Sequence, residues 1–275
     1  MEIKFYSRIE KKLKVEKVYG DILVRFFYQN ALARPLHFIF WGPLFSKLCG
    51  FWQDQSWSRL KIKEFVKNYQ IPMQDYLPQE GHSPAEPYAN FNQFFVRRFV
   101  PGKRNFTEQQ NLMPGFVEAR YFGHAAPSSH IHFPVKGQFL TAQELLVNTP
   151  WAKDFVEGPI LIARLCPVDY HRYHFPDDGT ILGHYRIPGQ FHSVNPLALK
   201  KLPQIFITNE RQVTILQTKN FGKLAYIEVG AMGVGKIIQS YKNLNFKRGD
   251  EKGYFLFGAS TVIVLGEKNR WIPSD

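Results

Sequence analysis

A chain of 275 residues, 44% of them hydrophobic, can build one large or two small domains around a substantial core. Its formal net charge of +12 points to an anionic partner, either nucleic acid or an acidic membrane surface. No apolar run reaches the roughly 18–20 residues of a spanning helix. The best, Leu36 to Phe51, is interrupted by His37, Gly42, Pro43 and Lys47.

Met1 to Gly20 carries charges throughout and does not read as a signal peptide. Residues 1–70 hold 13 Lys and Arg against 6 Asp and Glu, together with 15 of the 43 aromatic residues. A helix is expected after Asp21, through Ile22, Leu23, Phe26 and Phe27, until Arg34-Pro35 stops it. A second is expected with Ser58 as its cap and Leu60, Ile62, Phe65, Val66 and Tyr69 near helical spacing. Aromatic residues beside Lys61, Lys63 and Lys67 on short amphipathic helices suit a membrane interface. The alternative is a helical subdomain that packs the same aromatics inward. We therefore expect residues 1–80 to form a helical, membrane-associating region and residues 81–275 a β-rich domain.

Asn90 followed by Gln93 reads as a capping box, opening a helix whose apolar face is Phe91, Phe94, Phe95 and Phe99. Arg97 and Arg98 then suit the helix C-terminus. A short helix is expected at Thr141-Ala-Gln-Glu144. Otherwise short β-rich runs recur from Met113 onward, among them Pro159–Leu165, Thr180–Ile187, Gln204–Thr208, Gln212–Gln217, Lys223–Val229 and Val262–Leu265. Spacing this short excludes βαβ crossovers, so the fold class is α+β with mainly antiparallel sheets. Cys49 and Cys166 lack metal-like spacing and read as reduced, structural thiols.

Two stretches could carry chemistry. Asp169-Tyr-His-Arg-Tyr-His174 places His171 and His174 three residues apart, on opposite faces of a strand or one face of a turn. No further ligands stand at metal-site spacing, so no metal is expected. Gly253-Tyr-Phe-Leu-Phe-Gly-Ala-Ser260 breaks a strand with small residues and a hydroxyl. By itself it reads as a buried strand with a bulge, or as a serine poised against the preceding carbonyl.

That last stretch resembles the self-cleavage site of the phosphatidylserine decarboxylase family. Phe91-Asn-Gln-Phe-Phe-Val-Arg-Arg98, Arg164 to His174, His192-Ser-Val-Asn-Pro196, and Asn209-Glu-Arg211 with Glu228-Val-Gly-Ala231 resemble further family motifs in the same order. The resemblance covers roughly Phe26 to Leu265. It implies cleavage between Ala259 and Ser260 and conversion of Ser260 to a pyruvoyl group, the cofactor. That group would form a Schiff base with phosphatidylserine and yield phosphatidylethanolamine. In this comparison His174 matches the base that takes the serine proton, and His171 matches a group beside the pyruvoyl that protonates the decarboxylated intermediate. The cleaved chain of 16 residues would stay bound.

Two departures stand out. Ala259 replaces the family's usual glycine, and the family's Pro-Ala-Asp-Gly segment has no clear match. Aligning on Pro114 puts Phe116 at the aspartate position; aligning Val117-Glu-Ala-Arg120 instead keeps a carboxylate, Glu118, which we take as the expected partner of His174. The implied enzyme is a peripheral protein on the cytoplasmic face of a bacterial membrane, with anionic phospholipid as partner and homodimerisation left open. A lipid-binding relative that no longer self-cleaves is the second reading. A basic single-stranded nucleic-acid binder is the third; nucleic acid is not expected, because the aromatics recur at core spacing.

Overall fold

The computed structural model describes residues 4–8, 10–16, 42–125, 131–132, 139–147, 149–202, 204–232, 236–258 and 260–274. The helix expected after Asp21 and the residue Ala259 lie outside them.

The chain opens with a hairpin, β1 (Lys4–Ser7) and β2 (Lys12–Val15). Helices α1 (Pro43–Asp54) and α2 (Leu60–Tyr69) follow. Then come β3 (Tyr76–Leu77), α3 (Phe91–Phe95), β4 (Arg98–Phe99), β5 (Arg120–His124), β6 (Ile131–His132), β7 (Phe139–Leu140) and α4 (Ala142–Leu146). The remainder runs β8 (Ile160–Leu165), β9 (Arg172–His174), β10 (Gly179–Ile187), α5 (Pro196–Lys201), α6 (Ile205–Thr208), β11 (Arg211–Thr218) and β12 (Lys223–Val229). It ends with β13 (Ile237–Gln239), β14 (Asn245–Phe246), β15 (Glu251–Phe255) and β16 (Ser260–Gly266).

Two sheets carry the site. The larger has seven strands in the order β14-β10-β11-β12-β16-β8-β5, and the smaller has three, β13-β15-β9. Every paired strand in both is antiparallel. The α+β class with mainly antiparallel sheets therefore holds. β16 is an internal strand whose seven residues are all buried, so its unbroken Val262-Ile263-Val264-Leu265 run belongs where both faces are covered.

Local chemistry explains the departures from expectation. Gln204–Thr208 is not a strand. It forms the single turn α6, with Ile205 and Phe206 in the core and the Thr208 hydroxyl donating to the Gln204 carbonyl at 3.1 Å. A short apolar run fits either period, and core packing chose the helix. Ser58 is not a helix cap. It is fully buried, with its hydroxyl 2.6 Å from the Gln55 carbonyl, and it accepts the Phe91 amide at 2.9 Å, tying α2's approach to α3. Asn90 does cap α3 through the Gln93 amide, and Thr141 and Glu144 form a reciprocal capping box on α4. The α3 helix is shorter than expected, because Arg98 and Phe99 leave it to pair with β3.

The main core lies between the sheets and includes Phe116, Leu165, Tyr173, Tyr226, Phe255 and Ile263. A second cluster joins Phe65, Ile71, Tyr76, Phe91, Phe94, Phe95 and Tyr170, and Phe257 packs against it. It draws residues from both sides of position 80 and reaches the chain just before Ser260. Between the sheets, the Lys252 ammonium on β15 is hydrogen-bonded to the Glu228 carboxylate on β12 and, at 2.8 Å, to Gln239. Lys252 and Glu228 are both wholly buried. Gly253, next to Lys252, must be glycine: a Cβ there would sit 2.1 Å from the Ile238 carbonyl oxygen.

Candidate functional site

The connection from β15 to β16 crosses from the small sheet to the large one. The Phe257 amide donates to the Asn92 side chain at 3.0 Å, and the Phe257 ring packs on Phe91 and Phe95. Gly258 follows with φ at 141°, in the region that disfavours side chains, which glycine adopts without a Cβ penalty. Ser260 then opens β16, fully buried and paired across the strands with Leu165.

His171 meets Ser260. Its Nδ1 lies 3.4 Å from the Ser260 Oγ, and its Nε2 lies 2.9 Å from the Cys166 carbonyl oxygen. A carbonyl can only accept, so Nε2 carries the proton and Nδ1 presents its lone pair to the serine hydroxyl. The 3.4 Å spacing is longer than an ideal hydrogen bond but within the looser range of a base not yet engaged in reaction. The Phe95 ring stacks on the imidazole, with centroids 3.9 Å apart.

Burial pushes the His171 pKa from 6.5 down to about 3, against the hydrogen bond to Cys166. The folded state therefore refuses a proton that the unfolded chain takes up below 6.5. Its contribution to stability is complete above pH 6.5 and is lost as the pH falls toward 3, at up to about 1.4 kcal/mol per pH unit. Urea midpoints at pH 7 and pH 4.5, measured on Ser260→Ala chains, test this. Adding His171→Gln should shrink the loss on acidification, and equal losses would contradict the assignment.

His174, at the end of β9, has both ring nitrogens engaged elsewhere. Nδ1 donates to the Gly249 carbonyl at 2.9 Å, and Nε2 accepts from the Tyr170 hydroxyl at 3.2 Å. Its backbone amide donates to the Phe116 carbonyl at 2.9 Å. The sequence comparison gave the serine proton to His174; the imidazole within reach of Ser260 is that of His171.

Glu118 requires a correction. Its carboxylate accepts from Arg104 Nε at 2.8 Å on the surface, and no hydrogen bond joins it to His174. The cause is local. The Tyr121 hydroxyl donates to the Val117 carbonyl at 2.7 Å and accepts the Val117 amide at 3.1 Å, which pins this turn. Phe116 is thereby driven inward, fully buried against Tyr226 and Tyr121, and Glu118 is turned outward. Phe116, the residue of the other alignment, is the one whose backbone meets His174.

Several site residues carried no individual signal in the sequence. Asn92 holds the Phe257 amide while donating to Asp54 at 2.8 Å; the hint was a lone amide among the phenylalanines of α3. Buried Arg97 donates to the Val168 and Asp169 carbonyls at 3.0 and 3.1 Å, fixing the chain before His171. The Cys166 carbonyl orients the imidazole, and no side-chain pattern announces a carbonyl.

Comparison with known proteins identifies the family. The sequence profile of the family described as phosphatidylserine decarboxylase matches residues 91–275. A protein of Clostridium tetani named phosphatidylserine decarboxylase proenzyme is 37% identical over 269 residues, 98% of this chain and 89% of that protein. Proteins of the same name from Clostridium novyi and Ruminiclostridium cellulolyticum are 36% and 37% identical, over 98% and 97% of this chain and 90% and 88% of theirs. The match covers about nine-tenths of each of these relatives, the family profile covers residues 91–275, and the chain belongs to the phosphatidylserine decarboxylase family.

Proposed function

We propose that this protein is a self-processing phosphatidylserine decarboxylase whose pyruvoyl cofactor is made from Ser260. The observation that carries the proposal is the bare Nδ1 of His171 facing the Ser260 hydroxyl in a buried site walled by the Phe95 ring. His171 takes the hydroxyl proton as the oxygen attacks the Ala259 carbonyl. The peptide nitrogen leaves, and an ester links the two parts. Elimination across Ser260 frees the carboxylate of Ala259 and leaves a dehydroalanine at 260. Water then releases ammonia and leaves the pyruvoyl group.

The site fits that group: position 260 is buried, a neutral imidazole stands beside it, and Asn92 holds the preceding backbone. Once formed, the pyruvoyl carbonyl supplies an electron sink for the departing carboxylate of the substrate. His171 is then the nearest imidazole able to return a proton to the product.

A second reading has its own support. Among the described residues no carboxylate is hydrogen-bonded to either His171 or His174, which suits a lipid-binding relative that does not self-cleave. Denaturing mass spectrometry separates the two. Chains of residues 1–259 and 260–275, the shorter lacking an amine N-terminus, support the enzyme; one intact chain supports the second reading. Release of carbon dioxide from phosphatidylserine vesicles completes the test.

Attachment to an anionic membrane is part of the same proposal. Leu48, Phe51, Trp52, Trp57 and Leu60 are exposed on and between α1 and α2, beside exposed Lys47, Arg59, Lys61 and Lys63. Among the described residues no helix is long and apolar enough to cross a membrane. Exposed aromatics ringed by cations suit an interface of anionic headgroups. The triple variant Phe51→Ser, Trp52→Ser, Trp57→Ser should weaken co-sedimentation with phosphatidylserine vesicles by about tenfold or more. Wild-type binding by that variant would place the membrane contact elsewhere.

A further inference from the structure

The strand β8 leads into the Cys166–Asp169 turn, whose carbonyl holds His171. This turn sits in a buried charge cluster. The Asp169 carboxylate is paired with Arg120 and accepts the Cys166 amide at 2.7 Å. Asp169 in turn donates its backbone amide to the Cys166 carbonyl at 2.9 Å, so that oxygen receives both Asp169 and His171. Arg164 Nη1 lies 3.3 Å from the Cys166 sulfur.

One member of the cluster comes from far away in sequence. Glu16, the residue after β2, is buried, and its carboxylate accepts from Arg164 Nη2 at 2.6 Å. It also receives the Cys166 thiol and lies 3.6 Å from Arg120 Nε. The Arg120 guanidinium in addition covers the Phe5 ring on β1 at 4.7 Å. The hairpin thus delivers a carboxylate to the two arginines and the thiol beside the turn that aims His171.

Resting on the self-processing reading above, we propose that Glu16 is a positioning residue for the cleavage step. It gathers Arg164, Arg120 and the Cys166 thiol so that the Cys166 carbonyl holds His171 in the tautomer with Nδ1 bare. A buried ionic cluster is a poor source of stability, because desolvation offsets most of the attraction. What it does provide is a fixed geometry, and removing one member leaves the others to rearrange. Burial is the largest single influence and works against the Glu16 charge, but the hydrogen bond and charge of Arg164, the Cys166 thiol and the Arg120 charge together outweigh it and hold the carboxyl below its ordinary range, so the carboxylate stays ionised. Glu16 stands in for no carboxylate on a histidine; it acts one carbonyl further out.

The test uses the full chain. Glu16→Gln should slow fragment release by about tenfold or more, as small misplacements of a catalytic group do. Glu16→Asp, which keeps the charge, should recover part of the rate. In a Ser260→Ala background, ¹⁵N imidazole spectra should show His171 protonated at Nε2, and Glu16→Gln should convert this to a mixture of tautomers. Release at the parent rate would overturn the proposal. So would slow release with an unchanged His171 spectrum, which is what a merely structural role gives. Should Glu16→Gln fail to fold, Arg164→Lys loosens the same contact without stranding a carboxylate and is read in the same two ways. The spectra need no cleavage. A parent chain that never splits therefore refutes the self-processing reading while the spectra still judge Glu16.

Discussion

Ser260→Ala protein should run as a single chain, with no shorter fragment and no decarboxylation of phosphatidylserine. Ser260 places its hydroxyl against the bare Nδ1 of His171 at this step, and the same residue is the proposed source of the cofactor. Both activities are therefore lost together. The fold should survive. The substitution removes one buried oxygen whose hydrogen bond to His171 is long, at a net cost on the order of 1 kcal/mol. Thermal melting of the variant should match that of a chain caught before cleavage. Cleavage at 259/260 in Ser260→Ala protein would sink the mechanism.

The second large effect separates the two histidines. His171→Gln should slow fragment release by about 10²–10⁴-fold, the usual worth of a general base. Glutamine keeps a polar group near the Cys166 carbonyl and fills part of the space against Phe95, so the loss reads as chemistry rather than collapse. His174→Gln should slow release far less. Its ring serves Gly249 and the Tyr170 hydroxyl and reaches no serine. Time courses on the two variants decide the matter. Blocked release in His174→Gln with normal release in His171→Gln would return the base to His174, as the family comparison first suggested.

How far the sequence foretold this site depends on the kind of signal each residue leaves. Short β-rich runs and caps are local signals, so the antiparallel strands around Lys223–Val229 and Val262–Leu265 and the caps at Asn90 and Thr141 were readable. So was the strand break before Ser260, because small residues there have a backbone cause. Which of two histidines meets the serine was not readable. That choice follows from the Cys166 carbonyl and the pairing of β15 with β9, and both depend on the tertiary fold. Glu118 failed for a related reason: alignment by residue type cannot see a tyrosine hydroxyl pinning the turn. Glu16 was invisible because its partners Arg164 and Cys166 stand 148 and 150 positions away, and nothing near it in sequence marks it.

The placement of the proposed cut has one more consequence. The 16 residues from position 260 onward begin with an internal strand, locked between β12 and β8, while the preceding chain stays with β15 in the smaller sheet. Lys252 and Glu228 tie those two sheets together without crossing the break. Before the cut, folding is a one-molecule reaction whose outcome is independent of dilution. After it, every full unfolding event frees a short, strongly apolar strand into solution, and recovery requires two molecules to meet. Such a strand self-associates readily. The processed protein is then held together by the slowness of its unfolding rather than by an equilibrium it could re-establish. Maturation makes its folding history irreversible.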